Sequence, residues 1–129
     1  MIKKLQELLQ YSYSPWSHFK VAAVAVDAAG KEFYGVNVEN AAFPSGLCAE
    51  RSALFGSVAY GGKVGSFKEL HIMASTDAIT SPCAGCRQVI TEFMPDNAKI
   101  ILYNQSGSLI REFTVEQLVP LPIRAEQIK

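Results

Sequence analysis

A helix start and a pair of closely spaced cysteines coincide in the segment SPCAGCRQ, residues 81–88. Serine is favoured at a helix N-cap and proline at the first helical position, so a helix is expected to begin at Ser81-Pro82. Cys83 and Cys86 would then lie three residues apart on its first turn, where both thiolates can bind one metal ion. The segment therefore predicts a helix that carries half of a metal site.

The third cysteine of the chain begins the segment CAER, residues 48–51. Cys48 would supply a third thiolate to the same ion. A closed structural zinc site needs four protein ligands, whereas a catalytic site keeps one position open for water or substrate. Glu50 is too close to Cys48 in sequence to be an obvious fourth ligand, yet it is well placed to reach a water molecule at that position. Three thiolates beside one carboxylate predict a hydrolytic zinc site.

Two arginines follow these motifs directly, Arg51 after Glu50 and Arg87 after Cys86. Three thiolates would give the zinc centre a net negative charge, which opposes the acidification of water. Either arginine is therefore predicted to donate hydrogen bonds to cysteine sulfur. Both motifs also fall at predicted helix N-termini, where partial positive charge and free N–H groups stabilise thiolates.

The composition predicts one small enzyme. The chain has 129 residues, 49% of them hydrophobic, and a formal net charge of zero. This length is enough for one core, so a single domain over residues 1–129 is expected. A neutral chain without basic runs argues against nucleic-acid binding and favours a small neutral substrate. No stretch predicts a membrane span or a signal peptide, so we expect a cytoplasmic protein with reduced thiols.

Hydrophobic periodicity and turn residues predict nine elements. The first is a helix from Ile2 that closes before Pro15. The others are strands over residues 19–26 and 33–38, a helix over 48–60, a strand over 70–74, a helix from 81 to before Pro95, strands over 99–103 and 109–113, and a short helix that begins with the capping box of Thr114 and Gln117. This order predicts an α/β fold in which helices cover the faces of a mixed five-stranded sheet.

The two cysteine motifs together resemble those of the three-cysteine, homotetrameric class of cytidine deaminases. Four further segments match that family in the expected order and extend the resemblance over most of the chain: PWSHF at 15–19, NVENA at 37–41, residues 48–54, and LVP at 118–120. The resemblance implies a three-layer cytidine deaminase-like fold and a homotetramer with active sites at subunit contacts. The chain departs from the family at Trp16, Phe43 and Ile123, where relatives often have tyrosine, tyrosine and phenylalanine.

The resemblance also implies the reaction, which is hydrolytic deamination of cytidine and 2′-deoxycytidine to uridine and 2′-deoxyuridine, with release of ammonia, in pyrimidine salvage. One Zn²⁺ per subunit would be bound by the three cysteines. Glu50 would take a proton from water and deliver it to ring N3 and then to the departing amino group. The substrate-binding residues implied are Phe19 and Ala49 around the pyrimidine, and Asn37 and Glu39 at the sugar hydroxyls.

Several alternatives remain at this point. The cysteines would also suit a redox Cys-x-x-Cys pair with one buried thiol, or a structural zinc site completed by His18 or His71. His71 lies in an apolar strand pattern and is expected to pack in the core. Without the resemblance, Asn37 and Glu39 are typical of exposed residues. Other functions compatible with the zinc motifs are a deaminase of a modified aminopyrimidine nucleoside, of the blasticidin-S type, and a zinc-stabilised binding domain without catalysis.

Overall fold

The computed structural model describes residues 1–128. Within them lie, in chain order, α1 (Ile2–Leu9), β1 (Val21–Asp27), β2 (Glu32–Val36), α2 (Ala49–Ser57), β3 (Phe67–Ala74), α3 (Ala84–Phe93), β4 (Lys99–Tyr103), β5 (Ile110–Thr114) and α4 (Val115–Leu118). Single 3₁₀ turns cover Phe43–Ser45, Val58–Tyr60 and Ala125–Gln127. None of the helices in residues 1–128 is both long and apolar enough to span a membrane.

The five strands form one mixed sheet in the order β2-β1-β3-β4-β5. Three of the four strand pairs are antiparallel, and β3 and β4 are parallel. Parallel neighbours need a crossover connection, and α3 provides it. The predicted mixed five-stranded sheet is confirmed.

The helices lie on both faces of this sheet. Successive strand side chains point to opposite faces, so Ala22 and Val24 pack with Leu5 of α1, whereas Ala23 and Ala25 pack with residues of α2 and α3. The apolar stripe of α1 faces the sheet, and Leu5 on this stripe is completely buried as a result. The resulting order of helix, sheet and helices is the three-layer arrangement expected from the sequence.

One edge of the sheet collects the ends of three strands. Because β1 is antiparallel to both of its neighbours, its start lies beside the ends of β2 and β3, with Ala22 opposite Val36 and Val21 opposite Ala74. The segment before β1, the segment after β2 and the loop after β3 therefore meet at this edge. They carry Phe19, Asn37 and the approach to Cys83 respectively.

Helix α2 approaches β2 very closely at Gly35. A Cβ atom added to Gly35 would lie within 3.0 Å of three backbone atoms, namely the carbonyl oxygen of Ala49 and the nitrogen and Cα of Ala53. Only glycine permits this approach. It sets the distance from the sheet to the first turn of α2, which carries Cys48 and Glu50 at its start.

The element boundaries differ from the predicted ones at several elements. Helix α2 ends at Ser57 and is followed by a 3₁₀ turn to Tyr60, and β3 begins at Phe67 instead of at residue 70.

The difference with a consequence for the site is at α3. The expected start at Ser81-Pro82 is wrong, because Cys83 is the N-cap, with extended backbone at φ −67° and ψ 166°, and the helix begins at Ala84. An N-cap side chain points toward the first turn that follows it, which brings the Cys83 sulfur to 3.4 Å from that of Cys86.

The capping box of α4 is confirmed, since Thr114 Oγ1 accepts a hydrogen bond from the Gln117 N–H and Gln117 Oε1 accepts one from the Thr114 N–H.

Candidate active site

The three cysteines converge at the N-termini of two helices. Cys48 is the N-cap of α2, Cys83 is the N-cap of α3, and Cys86 lies on the first turn of α3. Their sulfur atoms all lie within 4.8 Å of one another, with 3.9 Å between Cys48 and Cys83. Thiolate sulfur is a preferred zinc ligand, and three sulfurs this close together can bind the same ion. The predicted metal cluster is confirmed, and its donor set fits zinc.

A positive charge lies next to this cluster. Nη2 of Arg51 donates a hydrogen bond of 3.4 Å to the Cys48 sulfur, as predicted from its position after Glu50. Hydrogen bonding from the Cys86 thiol, and after it from Arg51, lowers the pKa of Cys48 to about 5. The thiolate that a metal requires is therefore favoured at this position.

Arg87 makes different contacts from those predicted. Among the hydrogen bonds of residues 1–128, its guanidinium donates to Pro82 O at 2.9 Å, to Leu118 O at 3.1 Å and to Ser81 Oγ at 3.1 Å, and to no cysteine sulfur. The prediction that Arg87 donates to a cysteine sulfur is wrong, because these three oxygen acceptors occupy its guanidinium. Arg87 instead ties the segment before Cys83 to the end of α4.

Glu50 is a buried carboxyl in a cavity beside the cysteines. Only 4% of Glu50 is exposed, and the cavity has a volume of about 260 Å³. Burial raises the pKa of Glu50, and the nearby Cys48 charge acts in the same direction. A carboxyl with a raised pKa takes up and releases protons closer to neutral pH than an ordinary glutamate.

The same cavity gathers most of the predicted site residues. Its lining includes Phe19, Asn37, Cys48, Ala49, Glu50 and Cys83. Sequence reasoning did not place in the cavity the residues that complete its wall, which come from β1, β3 and the loop before α3: Val21, Ile72, Ala74, Thr80, Ser81 and Pro82. The strand residues have no local signature, since they resemble any other strand residue. Ser81 and Pro82 lie in the cysteine motif, but their pattern indicated only the start of a helix. Most of the lining is apolar, which suits a flat aromatic ring.

Asn37 makes three side-chain hydrogen bonds where β1 begins and β2 ends. Its Nδ2 donates to the Phe19 carbonyl oxygen at 2.7 Å, and its Oδ1 accepts from the Val21 N–H at 2.9 Å and from Ser12 Oγ at 2.5 Å. Phe19 is 36% exposed, so it lies at the cavity and not in the core. Ser12 is a residue that the sequence did not single out.

Glu39 does not line the cavity that holds Glu50. Its carboxylate accepts hydrogen bonds from the backbone N–H groups of Trp16 and Ser17, at 3.1 and 3.2 Å, and from the Ser17 hydroxyl. The Ser17 hydroxyl, with these backbone donors, lowers the pKa of Glu39. It borders an adjacent depression, together with Phe43 and Arg51.

No histidine completes a closed zinc site in residues 1–128, since the metal-ligand cluster there contains the three cysteines alone. His71 is buried on the α1 side of the sheet, where Nδ1 is 2.7 Å from the Tyr103 hydroxyl and Nε2 is 3.1 Å from Glu69. Its predicted packing in the core is confirmed. His18 lies in the exposed loop before Phe19. A structural zinc site with four protein ligands is therefore not supported.

A second cavity is larger but lacks this chemistry. It has a volume of about 390 Å³ and lies between β2 and α2, where Phe33, Tyr34 and Tyr60 contribute to its wall. It contains no thiol, and none of the predicted site residues lines it. The cluster of sulfur atoms, and not cavity size, therefore locates the candidate site.

Comparison with known proteins agrees with this site. A profile described as the cytidine and deoxycytidylate deaminase zinc-binding region matches residues 1–102. The chain belongs to the cytidine and deoxycytidylate deaminase family. The match includes all three cysteines, Glu50 and both cavity residues near the sheet edge, Phe19 and Asn37.

Relatives within the family are similar over most of their length. The cytidine deaminases of Sporosarcina psychrophila and Mycoplasma pneumoniae are 39% and 40% identical over 120 and 117 residues. These matches cover 93% and 90% of this chain and 86% of each relative. The crystal structure of cytidine deaminase from Burkholderia pseudomallei superimposes with a TM-score of 0.88 at 35% identity, with 95% of both chains covered. The predicted cytidine deaminase-like fold is confirmed.

Proposed function

We propose that this deaminase hydrolyses the 4-amino group of cytidine and 2′-deoxycytidine, giving uridine or 2′-deoxyuridine and ammonia. One observation carries the proposal, which is that three sulfur atoms within 4.8 Å of one another adjoin a cavity holding the buried carboxyl of Glu50. Relatives with the same fold and the name cytidine deaminase support the choice of substrate.

Cys48, Cys83 and Cys86 would hold one Zn²⁺ per subunit. When bound, zinc supplies a Lewis acid that lowers the pKa of water and so makes hydroxide available near neutral pH. Arg51 donates to the Cys48 sulfur and offsets part of the negative charge of three thiolates.

Glu50 would move the protons of the reaction. In the overall change, water adds its oxygen to C4 of the cytosine ring, and the C4–N bond breaks as ammonia leaves. The Glu50 carboxylate would accept one proton from the attacking water and transfer it to ring N3. It would then accept the second proton, from the new hydroxyl on C4, and supply it to the amino nitrogen as ammonia departs. Its raised pKa favours this work, because the carboxyl must both accept and release a proton.

The cavity walls would bind and orient the nucleoside. Phe19 offers an aromatic face for the pyrimidine, and the buried Ala49 limits the depth of the cavity. Asn37 would bind a sugar hydroxyl. The sugar contact predicted for Glu39 stays a prediction, since its carboxylate accepts hydrogen bonds from residues 16 and 17, and it would have to release some of them.

The setting of the enzyme is also proposed. The length of the chain supports a single domain over residues 1–129, and its closely spaced cysteines support a cytoplasmic location in which thiols stay reduced. The homotetramer and the role in pyrimidine salvage follow from the family resemblance. Large apolar side chains on the surface support self-association, among them Tyr11, Phe43, Tyr60 and Leu121, each more than 70% exposed. Light scattering with size-exclusion chromatography would measure the mass, and a monomer would contradict the tetramer.

Turnover by a Glu50→Gln variant tests the reaction. The parent, Glu50→Gln and a control Glu7→Gln would be loaded with equal zinc and given cytidine, and both the ultraviolet change and ammonia would be measured. Glu7 is exposed on α1, so the control makes the same charge change away from the cavity. We expect turnover by the parent and the control and none by Glu50→Gln.

Two results would contradict this expectation in different ways. Undiminished turnover by Glu50→Gln would remove Glu50 from the proton transfers. Lack of turnover of cytidine and 2′-deoxycytidine by the zinc-loaded parent would overturn the substrate, and modified aminopyrimidine nucleosides would be tried next.

A further inference from the structure

The side-chain amide of Asn37 has only one hydrogen-bonding group left for a ligand. An amide oxygen has two lone pairs and an amide nitrogen has two N–H donors. Oδ1 already accepts two hydrogen bonds, from the Val21 N–H and from Ser12 Oγ, and Nδ2 already donates one to the Phe19 carbonyl oxygen. Among the hydrogen bonds of residues 1–128, the remaining N–H is thus the one polar group of this side chain that is unused.

The orientation of the amide follows from its backbone partners. A backbone N–H can only donate and a carbonyl oxygen can only accept, so Val21 and Phe19 require the oxygen and nitrogen to lie where they do. Since Asn37 lines the cavity that holds Glu50, it can offer a ligand there a donor but not an acceptor. A substrate group bound by Asn37 must therefore present an acceptor oxygen.

Ser12 holds this arrangement from a distant part of the chain. It follows α1, 25 residues before Asn37, and its 2.5 Å bond to Oδ1 is the shortest that Asn37 makes. A hydroxyl has one proton, and an amide oxygen cannot donate, so Ser12 donates here. Two other acceptors lie within reach of the Ser12 hydroxyl, namely the Ser14 hydroxyl oxygen at 3.2 Å and the Asn37 carbonyl oxygen at 3.4 Å. The contact with Asn37 Oδ1 is much the shortest of the three, so the single proton of Ser12 is assigned to that oxygen.

We infer that Ser12 is a positioning residue for substrate binding, whose hydroxyl occupies the second lone pair of Asn37 Oδ1 and keeps Asn37 a donor toward the nucleoside sugar. This inference rests on the proposed function. Loss of the Ser12 hydroxyl frees an acceptor on Oδ1 and loosens the amide, so the sugar is bound less tightly. Ser12 does not touch the reacting atoms, so the chemical step keeps its rate.

The matched pair Ser12→Thr and Ser12→Val isolates the hydroxyl. The two side chains have the same shape, and only threonine can donate to Asn37. We expect the KM for cytidine to be about threefold to tenfold higher in Ser12→Val than in Ser12→Thr, which is the range for one hydrogen bond. The kcat should agree within twofold, since a change in KM alone reports binding shared by ground state and transition state.

A nucleoside that lacks the 2′- and 3′-hydroxyls supplies a readout that a purely structural role would not give. The inhibition constant of 2′,3′-dideoxycytidine should be equal in the two variants, because the hydroxyls on the sugar ring that Asn37 would bind are absent. Thermal unfolding will show whether β-branched residues prevent folding at this position. If they do, Ser12→Ala takes the place of Ser12→Val, the parent takes the place of Ser12→Thr, and the expected differences are the same.

The outcomes separate the two proposals. Equal KM values for cytidine in the valine and threonine variants would overturn the role of Ser12, and so would an equal loss of affinity for the dideoxy compound. Turnover by the parent would still stand in both cases. Absence of turnover by the parent itself would instead overturn the proposed function, and the role of Ser12 with it.

Discussion

Replacing Gly35 with alanine is expected to displace the helix that carries Cys48 and Glu50. The added Cβ would lie within 3.0 Å of backbone atoms of Ala49 and Ala53, whereas ordinary contact begins at 3.4 Å. Backbone atoms cannot rotate away as a side chain can. Helix α2 must therefore move back from β2 by more than 0.4 Å, because 0.4 Å is the shortfall for the farthest of the three atoms and the other two lie closer.

The size of the effect follows from this contact. Overpacking costs about 1–3 kcal/mol, and the upper end applies because the opposing atoms belong to the backbone. For a chain of 129 residues, a loss of ~3 kcal/mol lowers Tm by roughly 10 °C. Displacement of Glu50 and Cys48 should also reduce kcat by about tenfold to a hundredfold, since small shifts of catalytic groups are costly.

The assay compares Gly35→Ala with Gly56→Ala, which lies near the end of the same helix. A Cβ at Gly56 meets nothing within 4 Å, and alanine in a helix is favoured over glycine by about 0.5–1 kcal/mol. Thermal unfolding and cytidine turnover should therefore show a loss for Gly35→Ala and a small gain in Tm, with normal turnover, for Gly56→Ala. If Gly35→Ala kept the Tm and kcat of the parent, the close approach would not be what positions α2.

Two further predictions concern the buried tyrosine and the metal. Burial raises the pKa of Tyr103, so folding keeps its proton bound, and stability is full below pH ~10 and falls as pH rises above it. The urea midpoint of Tyr103→Phe should fall less than that of the parent between pH 9 and 11. Plots of urea midpoint against pH that run parallel for the two proteins would contradict this. Removal of zinc by a chelator should abolish turnover and lower Tm, because a ligand that binds the folded state stabilises it. Added zinc should restore both, and a Tm indifferent to the chelator would argue against binding by the three cysteines.

The candidate site was predictable to the extent that it is written in short segments. The spacing of Cys83 and Cys86, the position of Glu50 after Cys48, and the family motifs around them located the metal cluster and the acid. The position of Arg51 after Glu50 likewise predicted its contact with the Cys48 sulfur. These relations hold within one helical turn, so the local pattern of residues is sufficient to predict them.

The contacts of Arg87 and Glu39 were not predictable in this way. Arg87 bonds to Leu118, 31 residues away, and Glu39 to Ser17, 22 residues before it. Both contacts depend on which segment packs alongside, and side-chain type alone does not contain that information. The start of α3 at Ala84 differs from these because it is a local feature: Ser81 and Pro82 accept hydrogen bonds from Arg87 and lie outside the helix.

By itself the sequence determined the elements whose interactions are local, which include the capping box at Thr114 and the strand alternation that buries Ala23 on one face and Val24 on the other. Tertiary structure alone decided the environment of Asn37, the approach at Gly35 and the separation of Glu39 from the cavity of Glu50. The physical reason is the range of the forces involved. Helix caps and strand faces arise from residues a few positions apart, whereas a binding cavity is made by side chains that only the packed sheet brings together.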